Sequence, residues 1–197
     1  MNKILLLGTL AIGSLSFAQS TPTTLFLDDF NGGSSNWILN STDLNSTSNK
    51  NQWIVNGNYV GGNIPSTCYM NGSISSPTTP TQPQGITSPN GNYLHLISNA
   101  ALSTGILNNN FESGNIDCPN TEETFVKMSS PISTMGVSNV AFSFWVLKGQ
   151  SDAGYKGTAY YSIDGGSSWV AFINDINNYT SWTKITQTNT IWDNQSS

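Results

Sequence analysis

Apolar residues along this chain fall in short alternating runs separated by clusters of Gly, Asn, Ser, Thr and Pro, and the rhythm of an amphipathic helix is nearly absent. Period-two alternation puts every second side chain on one face of an extended backbone, so such runs predict half-buried β-strands. They are residues 25–30 (LFLDDF), read as the first strand, 52–55 (QWIV), 93–98 (YLHLIS), 125–128 (FVKM), 140–147 (VAFSFWVL), 158–163, 169–173 and 182–188. VAFSFWVL is the most apolar and is expected to be a central strand. Residues 72–90 (GSISSPTTPTQPQGITSPN) carry Pro77, Pro80, Pro83 and Pro89. Proline has no N–H to give a ladder, so a long surface loop is expected there and not a central strand. No period of solenoid or propeller length appears. The sum is an all-β fold, with the strands forming one sandwich.

The amino terminus places the protein. Lys3 precedes a short apolar stretch over residues 4–12, and Ser16-Phe17-Ala18 puts small residues where a signal peptidase needs them. Residues 1–18 therefore predict a secretory signal peptide cleaved before Gln19. The stretch is too short to span a bilayer and no later one approaches that length, so membrane insertion is not expected. The residue directly after the cleavage point is Gln19 and not Cys, which argues against a lipid anchor. The expectation is a protein secreted to the extracellular space or held at the outer cell surface, with residues 19–197 as a single domain.

Charge narrows the partners. Charged residues make up 9% of the chain, against about 25% in ordinary soluble domains, so solubility rests on neutral polar side chains. The six cations are all Lys, and losing Lys3 with the signal leaves five against eleven acids, a net charge of −6. A chain without Arg or a basic cluster lacks the electrostatic footprint of a nucleic-acid binder. Cys68 and Cys118 are the only cysteines. In a secreted chain an isolated pair points to one intramolecular disulfide, with free or intermolecular thiols as the alternatives.

Ser162-Ile163-Asp164-Gly165-Gly166-Ser167-Ser168-Trp169 fits S-x-D-x-G-x-x-W, the Asp box known from sialidases. A sialidase needs Arg to grip the substrate carboxylate and several propeller blades, and this chain has no Arg and one box. Ser162, Asp164, Gly166 and Trp169 therefore read as a structural hairpin: the glycines make positive φ cheap and the carboxylate accepts turn N–H groups. Glycosidases need two carboxylic acids across the scissile bond, and Glu112, Glu122 and Glu123 are the only Glu residues. No G-x-S-x-G elbow is present, and His95 is the only His, which removes triad and zinc chemistry. On YLHLIS it shares a face with Tyr93 and Ile97, so a hydrogen-bonded structural role is expected over that of a base. Asp28, Asp29, Asn31, Asp117, Asp152 and Asp164 lie in or beside loops and offer the hard oxygens that calcium takes, with solvated turn residues as the other reading and the favoured one for Asp117, Asp152 and Asp164. Trp37, Trp53, Tyr69, Trp182 and Trp192 are candidates for stacking on sugar faces, with core and hairpin packing as the other reading.

In order, LDDFNGGSSNW, NQWIVNGNYVGG, GNYLHLIS, MSSPISTMGVSNVAFSFWVLKG and AYYSIDGGSSW resemble the MAM-like jelly-roll domain of secreted Bacteroidetes proteins exported by type IX secretion. The likeness spans most of residues 25–197 and is strongest over Ser130 to Trp145 and Ser162 to Trp169. It implies a two-sheet antiparallel jelly-roll β-sandwich of the concanavalin-like, carbohydrate-binding class, acting as an accessory module without catalysis of its own. It also implies a structural calcium, with Asp29 in the matching acidic position of the first strand. The closing strand of that family is not found, so residues 19–197 are expected to lack the final strand of the domain. The function expected is surface adhesion or glycan recognition, with glycans or surface proteins as partners. The alternatives are an accessory N-terminal domain of a secreted glycosidase or protease, and a purely structural spacer.

Overall fold

The computed structural model describes residues 21–65, 73–76, 78–87, 89–113, 122–149 and 155–196. The signal segment, Cys68, Tyr69, Asp117, Cys118 and Asp152 lie outside the described residues, and so does the proposed disulfide.

The described chain is β-rich with almost no helix. Its strands are β1 Trp37–Ser41, β2 Asn51–Asn56, β3 Asn63–Pro65, β4 Ser73–Ser75, β5 Tyr93–Ser98, β6 Phe125–Met128, β7 Ala141–Lys148, β8 Gly157–Tyr161, β9 Val170–Ile176 and β10 Tyr179–Thr188. One short helix, α1 Asn99–Ser103, follows β5, and 3₁₀ turns occupy Asp43–Asn45 and Thr190–Trp192. Hydrogen bonds join the strands as antiparallel pairs: β1 with β6, β2 with β5, β3 with β4, β7 with β10 and β8 with β9. The longest ladder runs from Thr188 opposite Ala141 to Thr183 opposite Val146, then shifts register before Tyr179 meets Lys148. The most regular is β2–β5, from Asn51 opposite Ser98 to Asn56 opposite Tyr93.

Two strand expectations change. Residues 25–30 are not a strand. The Asp28 carboxylate accepts the Phe30 backbone N–H at 2.7 Å and Phe30 takes a φ of 59°, so the side chain captures the donor that a ladder would have used. Leu27 in consequence stands 68% exposed. VAFSFWVL forms β7 but not as a central strand: among the described residues it pairs only with β10, and Ala141, Phe142 and Ser143 are exposed. An apolar run reports strand character without reporting how many neighbours the strand has. Three strands escape the alternation rule, β1 because Asn40 at φ 56° reads as a turn residue, and β3 and β4 because each is three residues long.

The best-buried apolar group is small. Ile64, Ile97 and Ala101 are 1% exposed or less, packed by Ile54, Ala100, Leu102 and Ile106. Ser98 caps α1 by accepting the Ala100 N–H at 3.1 Å, which seats Ala101 under β5. A side chain at Gly62 would meet Ile106 at 3.2 Å, tighter than ordinary packing, so the bare backbone lets Ile106 lie close.

Side-chain amides and carboxylates do much of the remaining joining. Asn51, buried in β2, accepts the Glu112 N–H at 2.6 Å and donates to the Glu112 carbonyl at 3.0 Å, pairing both backbone groups as a neighbouring strand would. The Glu122 carboxylate accepts the consecutive backbone N–H groups of Asn49, Lys50 (2.9 Å) and Asn51 (3.1 Å). In a chain with few ions, such bridges satisfy the polar backbone of irregular segments.

Candidate functional site

The Asp-box hairpin joins β8 to β9, with Gly165 and Gly166 at φ 68° and 89°. Asp164 Oδ1 accepts the Ser168 N–H at 2.9 Å, and Asp164 Oδ2 accepts the Ser168 hydroxyl at 2.6 Å. Ser162 Oγ donates to Asp164 Oδ1 at 2.7 Å and accepts the Gly166 N–H at 2.8 Å. These donors hold the exposed Asp164 carboxyl down at about 2, the Ser168 hydroxyl contributing most. The carboxylate is saturated by its own turn.

Trp169 at the end of the box lies back over its own turn, where a side chain at Gly166 would meet its ring at 3.5 Å, and it also reaches beyond the hairpin. Its ring meets Phe125 edge-on at 5.2 Å, and its Nε1 donates to Asp43 Oδ1 at 3.2 Å. Asp43 also takes Lys127 Nζ at 2.7 Å and the Ser41 hydroxyl. Lys127 foremost, then Ser41, hold the Asp43 carboxyl down at about 2. Sequence reasoning missed Asp43, since nothing in its neighbourhood marks it as a partner for a residue so far along the chain.

The acidic corner behaves as a fold anchor. Asp28 Oδ2 accepts Trp37 Nε1 at 2.9 Å and Asn36 Nδ2 at 3.0 Å. Both Asp29 oxygens are engaged by Asn31, one by its backbone N–H at 3.1 Å and one by its amide at 3.0 Å. Asn31 Oδ1 in turn accepts the Asn92 N–H at 3.0 Å. No group of three acidic, His or Cys side chains gathers among the described residues. Asp29 with Asn31 ties the entering chain to the turn before β5.

The described aromatic candidates, Trp37, Trp53, Trp182 and Trp192, do not converge. Trp37 packs on Phe30 at 5.7 Å and is pinned by Asp28. Trp53 is half-buried in β2, with a buried Nε1 that has no hydrogen-bond partner among the described residues. Trp182 donates to the Pro80 carbonyl at 2.9 Å and meets Tyr93 edge-on at 6.2 Å. Of the four described candidates, Trp192 lines a groove.

That groove, of about 310 Å³, runs between β8–β9 and the end of β10, lined by Tyr161, Val170, Ala171, Phe172, Gln187, Thr188, Asn189 and Trp192. The 3₁₀ turn Thr190–Trp192 is capped by Asn189, which accepts the Ile191 N–H at 3.1 Å, and it folds the indole back under the sheet. Trp192 is 9% exposed and meets Phe172 edge-on at 5.2 Å and Tyr161 at 5.7 Å. Trp192 thus forms the floor of the groove, while Val170, Gln187, Thr188 and Asn189 are exposed at its rim. The sequence signal that could have found the site is the hairpin itself: Tyr161 pairs with Val170, which places Phe172 one strand step from it.

His95 sits among Tyr93 (ring centroids 5.4 Å apart) and Asn56, whose Nδ2 lies 3.4 Å from His95 Nδ1. Burial pushes its pKa down to about 4, against the opposing pull of the Asn109 and Leu107 backbone. The imidazole is packed and favours its neutral form. Burial likewise raises the Tyr93 phenol.

Comparison with protein-family models, with curated proteins and with solved structures returns no match to this chain.

Proposed function

We propose that this chain is a secreted, non-catalytic module of the MAM-like, two-sheet jelly-roll kind that recognises glycans at a surface, through the groove of Tyr161, Phe172 and Trp192. The observation that carries this reading is the composition of that groove: three aromatic rings joined to the amides of Gln187 and Asn189 and the hydroxyl of Thr188. A sugar ring offers an apolar C–H face for aromatic contact and a rim of hydroxyls that both donate and accept, as amides do. The tyrosine phenol is the lining's only ionisable group, and a net negative chain favours uncharged sugars over acidic ones. The saturation of the Asp164 carboxylate by its own turn supports a non-catalytic role for the Asp box.

The test is a glycan array with the purified chain, followed by titration of any hit monitored by NMR. Phe172→Ala and Gln187→Ala are expected to weaken binding by about tenfold or more, the loss of roughly 1.4 kcal/mol. Binding that both variants leave unchanged, or an array without a hit, removes the groove as a glycan site.

A further inference from the structure

Lys148 closes β7, and Asn177 opens the two-residue connection from β9 to β10, completed by Asn178 at φ 62°. Lys148 Nζ donates to Asn177 Oδ1 at 2.9 Å. With a C=O bond of about 1.23 Å, the carboxamide carbon must lie within about 4 Å of the amine nitrogen. The Phe111 ring covers Lys148, its centroid 5.4 Å from Nζ. Both side chains are half-buried. Burial lowers the Lys148 pKa, more than the nearby Asp175 charge raises it, and a lysine that releases its proton more readily becomes a nucleophile.

We infer that Lys148 and Asn177 are a self-modification site, at which the two side chains condense into an intramolecular isopeptide bond. The neutral Lys148 Nζ attacks Asn177 Cγ and forms the new C–N bond. The Cγ–Nδ2 bond breaks, the proton shed by Nζ passes to Nδ2, and one ammonia leaves. No oxidant, reductant or cofactor enters. The hydrogen bond holds Nζ beside the carbonyl oxygen, so the nitrogen must swing onto the carbonyl face, a movement of about an ångström towards the 3–3.5 Å of a reacting pair. The four-carbon lysine stem allows it. The product ties the end of β7 to the β9–β10 turn and encloses the Asp-box hairpin in a covalent loop, restricting the unfolded chain as a disulfide does. A small best-buried apolar group and a chain with few charged residues are the setting in which such a tie stabilises most.

Peptide mapping of the full chain, purified after folding, decides the matter. The expected product is a branched peptide joining the segments around Lys148 and Asn177, lighter than its two parts by one ammonia, with no proteolytic cleavage after Lys148. Intact mass alone does not suffice, because an N-terminal Gln19 can also lose ammonia by cyclising. Lys148→Arg keeps the charge and the hydrogen bond but cannot form the bond, and Asn177→Ala removes the electrophile; both must lack the branched peptide. Wild-type protein that yields only linear peptides, cut after Lys148 and with unmodified Asn177, overturns the inference whether or not the variants fold.

Discussion

Trp169 Nε1 donates to Asp43 Oδ1 at 3.2 Å, although the two residues are 126 positions apart in sequence. The same carboxylate binds Lys127 of β6 and Ser41 of β1. One side chain therefore ties the Asp-box hairpin to the β1–β6 pair. The conformational cost of bringing such distant segments together is met by a charged acceptor that serves three donors at once.

The coupling between these residues is measurable. Asp43→Ala and Trp169→Phe are each expected to destabilise the fold, Asp43→Ala by about 1 to 2 kcal/mol after allowing for partial solvent screening. The double variant should cost less than the sum of the singles, as contacting pairs do. Urea unfolding of the four proteins gives the coupling, and strict additivity would show that the contact contributes nothing.

Acid should loosen the same region. Asp43 and Asp164 have folded-state values near 2, below the usual 3.8. A depressed acid stabilises the fold fully above its unfolded value and loses that contribution as pH falls through the folded one. Melting temperature should accordingly drop between about pH 4 and about pH 2. Asp164→Asn should lower the melting temperature at neutral pH and make this acid drop shallower; an unchanged acid profile would rule out the turn carboxylate as its source.

His95 acts in a different window. Its folded value near 4 lies below the ordinary 6.5, so between those values the unfolded chain binds the proton that the folded chain refuses. Stability should then fall as pH decreases from about 6.5 to about 4, by up to roughly 3 kcal/mol. Chemical denaturation across that range reads the slope directly. His95→Gln should flatten it, and a slope that survives the substitution assigns it to another group.

Gly91 tests the clamp between the entering chain and β5. A methyl group there would overlap Asn31 Oδ1 and lie 2.8 Å from Asn31 Nδ2. Asn31 is held by Asp29 and Asn92, so it cannot turn away without losing them. Gly91→Ala should cost about 1 to 2 kcal/mol, whereas a melting temperature equal to wild type would show that the corner yields freely.

Much of the β-structure is legible in the amino-acid order. Residues 93–98 and 125–128 form strands at the limits that alternation assigns, and the Asp-Gly-Gly turn joins β8 to β9 because its requirements are local: positive φ, and a carboxylate within reach of the next few N–H groups. The stretch 25–30 shows where that logic stops. Its alternation is apolar enough for a strand, but Asp28 satisfies the Phe30 N–H within the segment and its Oδ2 engages Asn36 and Trp37.

By itself the sequence determined the β class, the placement of most strands and the shape of the Asp-box hairpin, because these depend on side-chain period and short-range hydrogen bonding. Tertiary structure alone decided which aromatics come together. Trp37, Trp53 and Trp182 were separated into packing and pinning roles, while Tyr161, Phe172 and Trp192 were gathered around one groove with Gln187 and Asn189. It also decided that Asp43 faces Trp169 and that Lys148 reaches Asn177. Contacts of this kind depend on the relative placement of whole strands, a property of the packed chain that no local pattern of residues encodes.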